Sequence, residues 1–185
     1  LHFFDIPPDP ALSKMVIAGT ERGITNGYSD HTFRPHNPIT RATFSVMLSR
    51  LHAGKDGEAV IEGSTTFSDV AADAWYGSAA RWACENKIVL GNDGKFLAQQ
   101  GISHQQLIVM LYRYAEGQGL DVSRRASLTS YADAAQLSAY AVEPMQWAVA
   151  MGIIGTNTTS LEIWKTTTRL EAMSYLVTFM DAYQI

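Results

Sequence analysis

A single cysteine, Cys84, stands among the 185 residues. One thiol excludes an internal disulfide framework and a cysteine zinc cluster, without excluding an extracellular location. Cys84 sits beside Trp82 on a helical pattern and reads as a half-buried structural thiol rather than a nucleophile. Basic runs are short as well: the longest is Arg124–Arg125, and the formal net charge is −4. That removes the clustered cationic surface that non-specific nucleic-acid binding needs. No apolar segment reaches the ~18 residues of a membrane span, so no membrane insertion is expected. Phosphate loops, dinucleotide glycine runs and a Gly-x-Ser-x-Gly elbow are missing. His31 and His36 share a loop, but their spacing fits no ligand motif, and "NDGKF" lacks the alternating Asp/Asn ligands of a calcium loop. No acid pair stands out for glycoside cleavage. The sequence therefore predicts no catalytic centre, no metal and no cofactor.

What the chain does have is an internal repeat. "FFDI" at Phe3–Ile6, "FSDV" at Phe67–Val70 and "YADA" at Tyr131–Ala134 open three copies, with Asp5, Asp69 and Asp133 each 64 apart. A first helix is predicted roughly over Ala11–Arg22, Trp75–Asn86 and Tyr140–Met151. Ala11 then aligns with Trp75 and Tyr140, and Ala18 with Trp82 and Trp147. Seven residues are about two turns, so each such pair is expected on one helix side. Trp82 and Trp147 have the spacing of core residues. Pro144 either starts the third of these helices late or kinks it. A Gly/Asn/Asp loop follows, then a second helix with Phe44, Met47, Leu48 and Leu51. Leu107, Met110, Leu111 and Tyr114 repeat that pattern, as do Ala172, Tyr175, Leu176 and Phe179. This i, i+3, i+4, i+7 stripe is an amphipathic helix three times over. The reading is all-α: residues 1–54, 65–117 and 129–185 form three tandem helix-loop-helix repeats, joined by polar linkers at 55–64 and 118–128. No such unit buries its stripe alone, so the three are expected to pack on one another.

Thr40, Ser103 and Thr168 align just ahead of the second helix, where a hydroxyl caps otherwise unpaired N–H groups. "SHQQ" and "TRLE" fit a capping box; "TRAT" has lost its second half. The next residue is Arg41, His104 or Arg169. A cation at the first helical position opposes the helix dipole. Beside free N–H groups, however, it makes a receptor for a carboxylate or phosphate. The alternative is pairing with a neighbouring Asp or Glu. His104 makes its copy a weaker or pH-dependent receptor.

"GYSDHTFRPHNPITRATF" in repeat one, "FSDV…W" in repeat two and "TTRLEA" in repeat three resemble the S-layer homology domain family, over nearly the whole chain. The resemblance implies a pseudo-threefold, all-helical body. Its inter-repeat grooves would bind acidic, including pyruvylated, secondary cell-wall polysaccharide and so anchor a protein non-covalently to the bacterial surface. It implies an extracellular location at the cell wall or S-layer. The sugar-acid role carries over to Arg41 and Arg169. A loop role carries to Gly27, Tyr28 and Asp30, and in repeat two to Gly91, Asp93 and Gly94. The start-helix aromatic maps to Trp75 and Tyr140. Chemistry agrees: an acidic sugar wants a bidentate cation, N–H donors and a ring for its apolar face, and Arg34 adds a second cation within reach. His31 replaces the family's glycine, Ala11 its tryptophan, and repeat three lacks the Asp-Gly turn. That erosion keeps a second expectation in play: a structural or protein-interaction module whose partners are other surface proteins.

Overall fold

A computed structural model describes residues 3–6, 8–54 and 67–185. Within them the chain is helical, and no β-strand occurs among the described residues. The expected linker at 55–64 lies outside them. Six α-helices follow in order: α1 (Pro10–Glu21), α2 (Arg41–Ala53), α3 (Gly77–Glu85), α4 (His104–Gly117), α5 (Val142–Ala150) and α6 (Arg169–Tyr183). Their ends follow local chemistry. The Asp9 carboxylate accepts from Ala11 N at 2.7 Å and Leu12 N at 3.2 Å, and Pro10 fills the first helical position. Capping boxes open α4 (Ser103 with Gln106) and α6 (Thr168 with Glu171). At α2 only Thr43 answers Thr40, hydroxyl to hydroxyl at 3.0 Å.

Two of the first helices start later than expected. Trp75 precedes α3, and Tyr140 lies in a 3₁₀ turn, Ala139–Ala141, ahead of α5. The late start is the outcome for Pro144: it falls in the first turn of α5, where its missing N–H has no intrahelical partner to lose. The seven-residue pairing therefore fails. Trp75 is 66% and Tyr140 56% exposed, whereas Trp82 and Trp147 are in the core.

The helices do not pack as hairpins within a repeat. The main helix–helix contacts join α2 to α3, α4 to α5 and α6 to α1, so the second helix of one repeat covers the first helix of another. The physical reason is the length of the loop between the two helices of a repeat, which carries the chain across to a neighbour before it can fold back. One core results, with Trp147, Phe33, Phe44, Phe96 and Phe179 fully buried. Each such side chain contributes roughly 1.5–3 kcal/mol of transfer free energy.

Main-chain hydrogen bonds just before the second helices close a ring. Ile39 N–H donates to Thr167 O (2.9 Å), Thr167 N–H to Ile102 O (2.9 Å), and Ile102 N–H to Ile39 O (3.2 Å). Two residues on, Arg41 N–H donates to Gln100 O, His104 N–H to Lys165 O and Arg169 N–H to Asn37 O, at 2.9, 3.1 and 2.9 Å. First-turn N–H groups left over by the α-helix thus find partners on another repeat.

The repeated aspartates are staples. Asp5 accepts from Phe33 N and Arg34 N, Asp69 from Phe96 N and Leu97 N, and Asp133 from Leu161 N and Ile163 N, at 2.7–3.2 Å. Burial alone would raise the Asp69 and Asp133 carboxyls, but the paired amides outweigh it and hold both below the usual carboxylate range. The aromatic two residues earlier packs on the loop glycine. A Cβ on Gly27 would lie 2.1 Å from the Phe3 ring, one on Gly91 2.5 Å from Phe67, and one on Gly155 2.6 Å from the Tyr131 hydroxyl; all three have φ between 71° and 84°. The segment 118–128 is strapped down rather than loose. Arg125 pairs with Glu143, Tyr183 OH donates to Asp121 O at 2.6 Å, and Ala126 N–H donates to Gln146 O.

Candidate functional site

Because each second helix leans on another repeat, its first residue faces that neighbour's loop. Arg41, His104 and Arg169 occupy equivalent positions in three different settings.

Arg41 lines a cleft of about 230 Å³. Its walls are Ile88–Gly91 from the loop of repeat two, Gln106, Met110 and Arg113 from α4, and Tyr140 from repeat three. The guanidinium is half-buried. Nη2 donates to Gln100 Oε1 at 3.2 Å, and Nε is buried without a hydrogen-bond partner. Burial pulls its pKa down and the Asp69 charge partly offsets this, but an arginine stays protonated. Among the described residues Arg41 has no ion-pair partner. Arg113 donates to Ile88 O at 3.3 Å. Among the described residues, no carboxylate lines the cleft.

Arg169 is buried, 6% exposed. Nε donates to Phe33 O (2.8 Å) and Nη2 to Thr25 Oγ1 (3.2 Å), while the guanidinium carbon stands 4.9 Å from the Tyr28 ring centre and 5.0 Å from that of Phe33. It too lacks a carboxylate partner among the described residues. Arg34 lies over the same Tyr28 ring at 3.8 Å and pairs with Asp30 at 3.0 Å. Bonds from Thr32 and then Arg34 hold the Asp30 carboxyl down at about 2. Gly27, Tyr28, Asp30, Arg34 and Arg169 are therefore brought together, with two cations sharing one ring. Arg169 is not the open guanidinium that its position at a helix entrance suggests; the loop of repeat one closes over it.

His104 is buried at the third position. Nδ1 lies 3.0 Å from Leu161 O, and Nε2 lies 3.5 Å from Glu171 Oε2. Glu171 accepts from Thr168 N (2.8 Å), Thr168 Oγ1 (2.9 Å) and Lys165 Nζ (2.8 Å). Burial would raise its carboxyl, but His104, Lys165 and Thr168 hold it well below the usual range. This copy carries its own anion.

The remaining expected residues have structural work. Asp93 and Gly94, at φ 48° and 72°, make a two-residue turn between Asn92 and Lys95, which exchange hydrogen bonds at 2.9 Å. Gly94 O accepts from Ser68 N. His31 takes the equivalent place at φ 60° and accepts from Phe4 N. Trp75 is exposed and edge-on to Tyr76 at 5.4 Å. No metal-ligand cluster occurs among the described residues.

Arg113 and Gln106 were missed at the sequence level. Their signal was a second stripe on α4, Gln106, Val109, Met110 and Arg113, at i, i+3, i+4 and i+7, one position back from the core stripe.

Comparison with known proteins matches this repeat architecture. The S-layer homology domain profile matches residues 3–45, 66–108 and 130–173. The Surface-layer 125 kDa protein of Lysinibacillus sphaericus is 29% identical over 78% of this chain and 11% of its own length. The Cellulosome-anchoring protein of Acetivibrio thermocellus is 28% identical over 55% of this chain and 23% of its own. A Surface layer protein of Brevibacillus choshinensis is 27% identical over 57% of this chain and 10% of its own. The matched region is thus a minor part of each of these relatives. Family and relatives together point to the bacterial cell surface or cell wall. Three tandem copies of its signature, on an all-helical chain with repeating aspartate staples, make this chain a member of the S-layer homology domain family.

Proposed function

We propose that the chain is a non-catalytic anchoring module that holds a larger protein to the cell wall by binding an acidic secondary cell-wall polysaccharide, including its pyruvylated forms, in grooves between repeats. The observation that carries this reading is the Arg41 cleft: a half-buried guanidinium with no carboxylate partner among the described residues, a second guanidinium from Arg113, and the exposed ring of Tyr140. A cation kept from internal pairing is poised for an external anion. The apolar wall of Ile88–Leu90 and the ring suit the carbon face of a sugar. The Arg169–Tyr28–Arg34 cluster is a second candidate, with its cations more shielded. Arrangement of the repeats about a pseudo-threefold axis belongs to the same reading. The closed ring of main-chain bonds and the cyclic helix pairing support it, and repeat limits of 1–54, 65–117 and 129–185 are proposed with it.

The test is co-sedimentation with purified walls. Arg41→Ala is expected to release the protein into the supernatant, and chemical removal of the polymer's acidic groups to do the same for the unsubstituted chain. Retention unchanged by both treatments would overturn the acidic-ligand reading and leave a protein partner as the anchor.

A further inference from the structure

Asn26 is the single asparagine of the chain followed by a glycine, Gly27. Its counterparts are Leu90 and Ile154, each just ahead of the loop glycine of its repeat. Leu90 lines the Arg41 cleft, and Ile154 lines the corresponding cleft of about 360 Å³ that holds His104. Asn26 therefore stands at a position whose counterparts face a groove, and the cation of its own copy is Arg169. Its neighbours on both sides touch that residue. Thr25 Oγ1 accepts from Arg169 Nη2 at 3.2 Å, and the Tyr28 ring centre lies 4.9 Å from the guanidinium carbon.

Both groups that react in an asparagine–glycine pair are lightly held here. Asn26 is exposed in an irregular stretch, and its side-chain amide has no hydrogen-bond partner among the described residues. The Gly27 N–H reaches only the Thr25 hydroxyl among the described residues, at 3.3 Å, and a residue without Cβ leaves its nitrogen uncrowded. The other asparagines each carry a brake. Asn37 precedes Pro38, whose nitrogen has no proton to give up. Asn86 Nδ2 is tied to Trp82 O at 2.9 Å. Asn92 is pinned in its turn with Lys95, and the charge of Asp93 opposes a second anion beside it. Asn157 precedes the β-branched Thr158. Charge favours Asn26 as well: Arg34 and Arg169 share the Tyr28 ring, and nearby cations stabilise the amide anion that attacks.

We propose that Asn26–Gly27 is a self-modifying site. The Gly27 nitrogen gives its proton to solvent base and attacks Asn26 Cγ; the Cγ–Nδ2 bond breaks, and ammonia leaves with a proton from water. Water then opens the succinimide to aspartate or isoaspartate. The net change is amide plus water to carboxylate plus ammonium, with no change of oxidation state. The new carboxylate lies beside Arg169, which has no carboxylate partner among the described residues, and supplies its counter-ion. The consequence, which rests on the wall-anchoring reading, is that the repeat-one cluster becomes a poorer receptor for an acidic polymer as the protein ages, while the Arg41 cleft keeps its charge.

The experiment is a timed incubation of the chain at mildly alkaline pH, read by peptide mass spectrometry. Asn26 is expected to convert first, gaining the mass of an amide-to-acid exchange and splitting into two isomeric peptides, ahead of Asn37, Asn86, Asn92 and Asn157. Earlier conversion of any of those four, or an intact Asn26 after prolonged incubation, would overturn the proposal. The counter-ion is read by NMR at the buried Arg169 Nε–H. Asn26→Asp should move that signal. Asn26→Gln, whose longer side chain closes the ring poorly, should leave it in place and block the conversion. A signal indifferent to Asn26→Asp would overturn the pairing with Arg169. Neither readout uses cell walls, so failure here is told apart from failure of the anchoring reading.

Discussion

The Arg41 cleft and the His104 cleft share a scaffold and differ in charge. Both lie where the first turn of one second helix meets the loop and second helix of the next repeat, and in both the entering backbone N–H is bonded across the boundary. In the first, two guanidinium groups face a wall with no acid among the described residues; in the second, Glu171 has moved inside and drawn Lys165 and His104 around it. The repeat fixes where a groove forms, and a handful of lining side chains fixes what it accepts.

Gly91→Val and Gly155→Val should give the largest effects, and equal ones if the scaffold is shared. Each forces a side chain into a left-handed backbone and into the start aromatic of its repeat. We expect losses of ~2–4 kcal/mol, read by denaturant unfolding. A large loss from one and none from the other would break the equivalence of the two clefts.

Arg41→Ala comes next and addresses the difference. Loss of a charge-assisted contact worth ~1.5–3 kcal/mol should weaken wall retention about tenfold or more. His104→Ala should leave retention by an acidic polymer near its starting level. Equal losses from both would mean that charge is not what separates the clefts.

Acid provides a third comparison. Asp69, Asp133 and Glu171 have folded-state pKa values below the ordinary carboxylate range. Their contribution to stability is therefore complete above the unfolded value of ~4, and is lost as pH falls below it towards the folded values. Thermal midpoints should fall in that window. Glu171→Gln should flatten the decline without removing it, because the two aspartate staples remain. An unchanged profile would show that the Glu171 network adds nothing to the fold.

The smallest expected effect is that of Thr43→Glu, which completes the capping box at α2. It should stabilise the chain by a few tenths to ~1 kcal/mol, read as a small rise in Tm. Glu at this position also mimics Glu171, so wall retention of the same variant shows whether an added acid weakens anion binding.

Much of the helical plan was legible in the residues. The apolar stripes located α2, α4 and α6, and Thr40, Ser103 and Thr168 marked their entrances, because caps and periodicity are local. The starts of α3 and α5 were misread by two residues. Trp75 and Tyr140 continue the helical spacing by identity, but a turn sets them outside the helix and in solvent. The arginines illustrate the harder limit. Arg41 and Arg169 look alike as neighbours of threonine, yet one lines a cleft and the other lies beneath Phe33 and Tyr28. Nothing within a few residues of either distinguishes them.

From the residues alone came the threefold repetition, the helical class, the aspartate-and-aromatic opening of each copy and the arginine or histidine at each helix mouth. These follow from short-range rules of periodicity, capping and turn chemistry. Tertiary structure alone decided that the second helix of each repeat covers a different repeat's first helix, and that three equivalent positions hold an available arginine, a sealed arginine and a histidine beside an internal carboxylate. Burial and hydrogen-bond partners come from far along the chain, such as Gln100, 59 positions from Arg41, and Phe33, 136 positions from Arg169, and a local pattern carries no information about them.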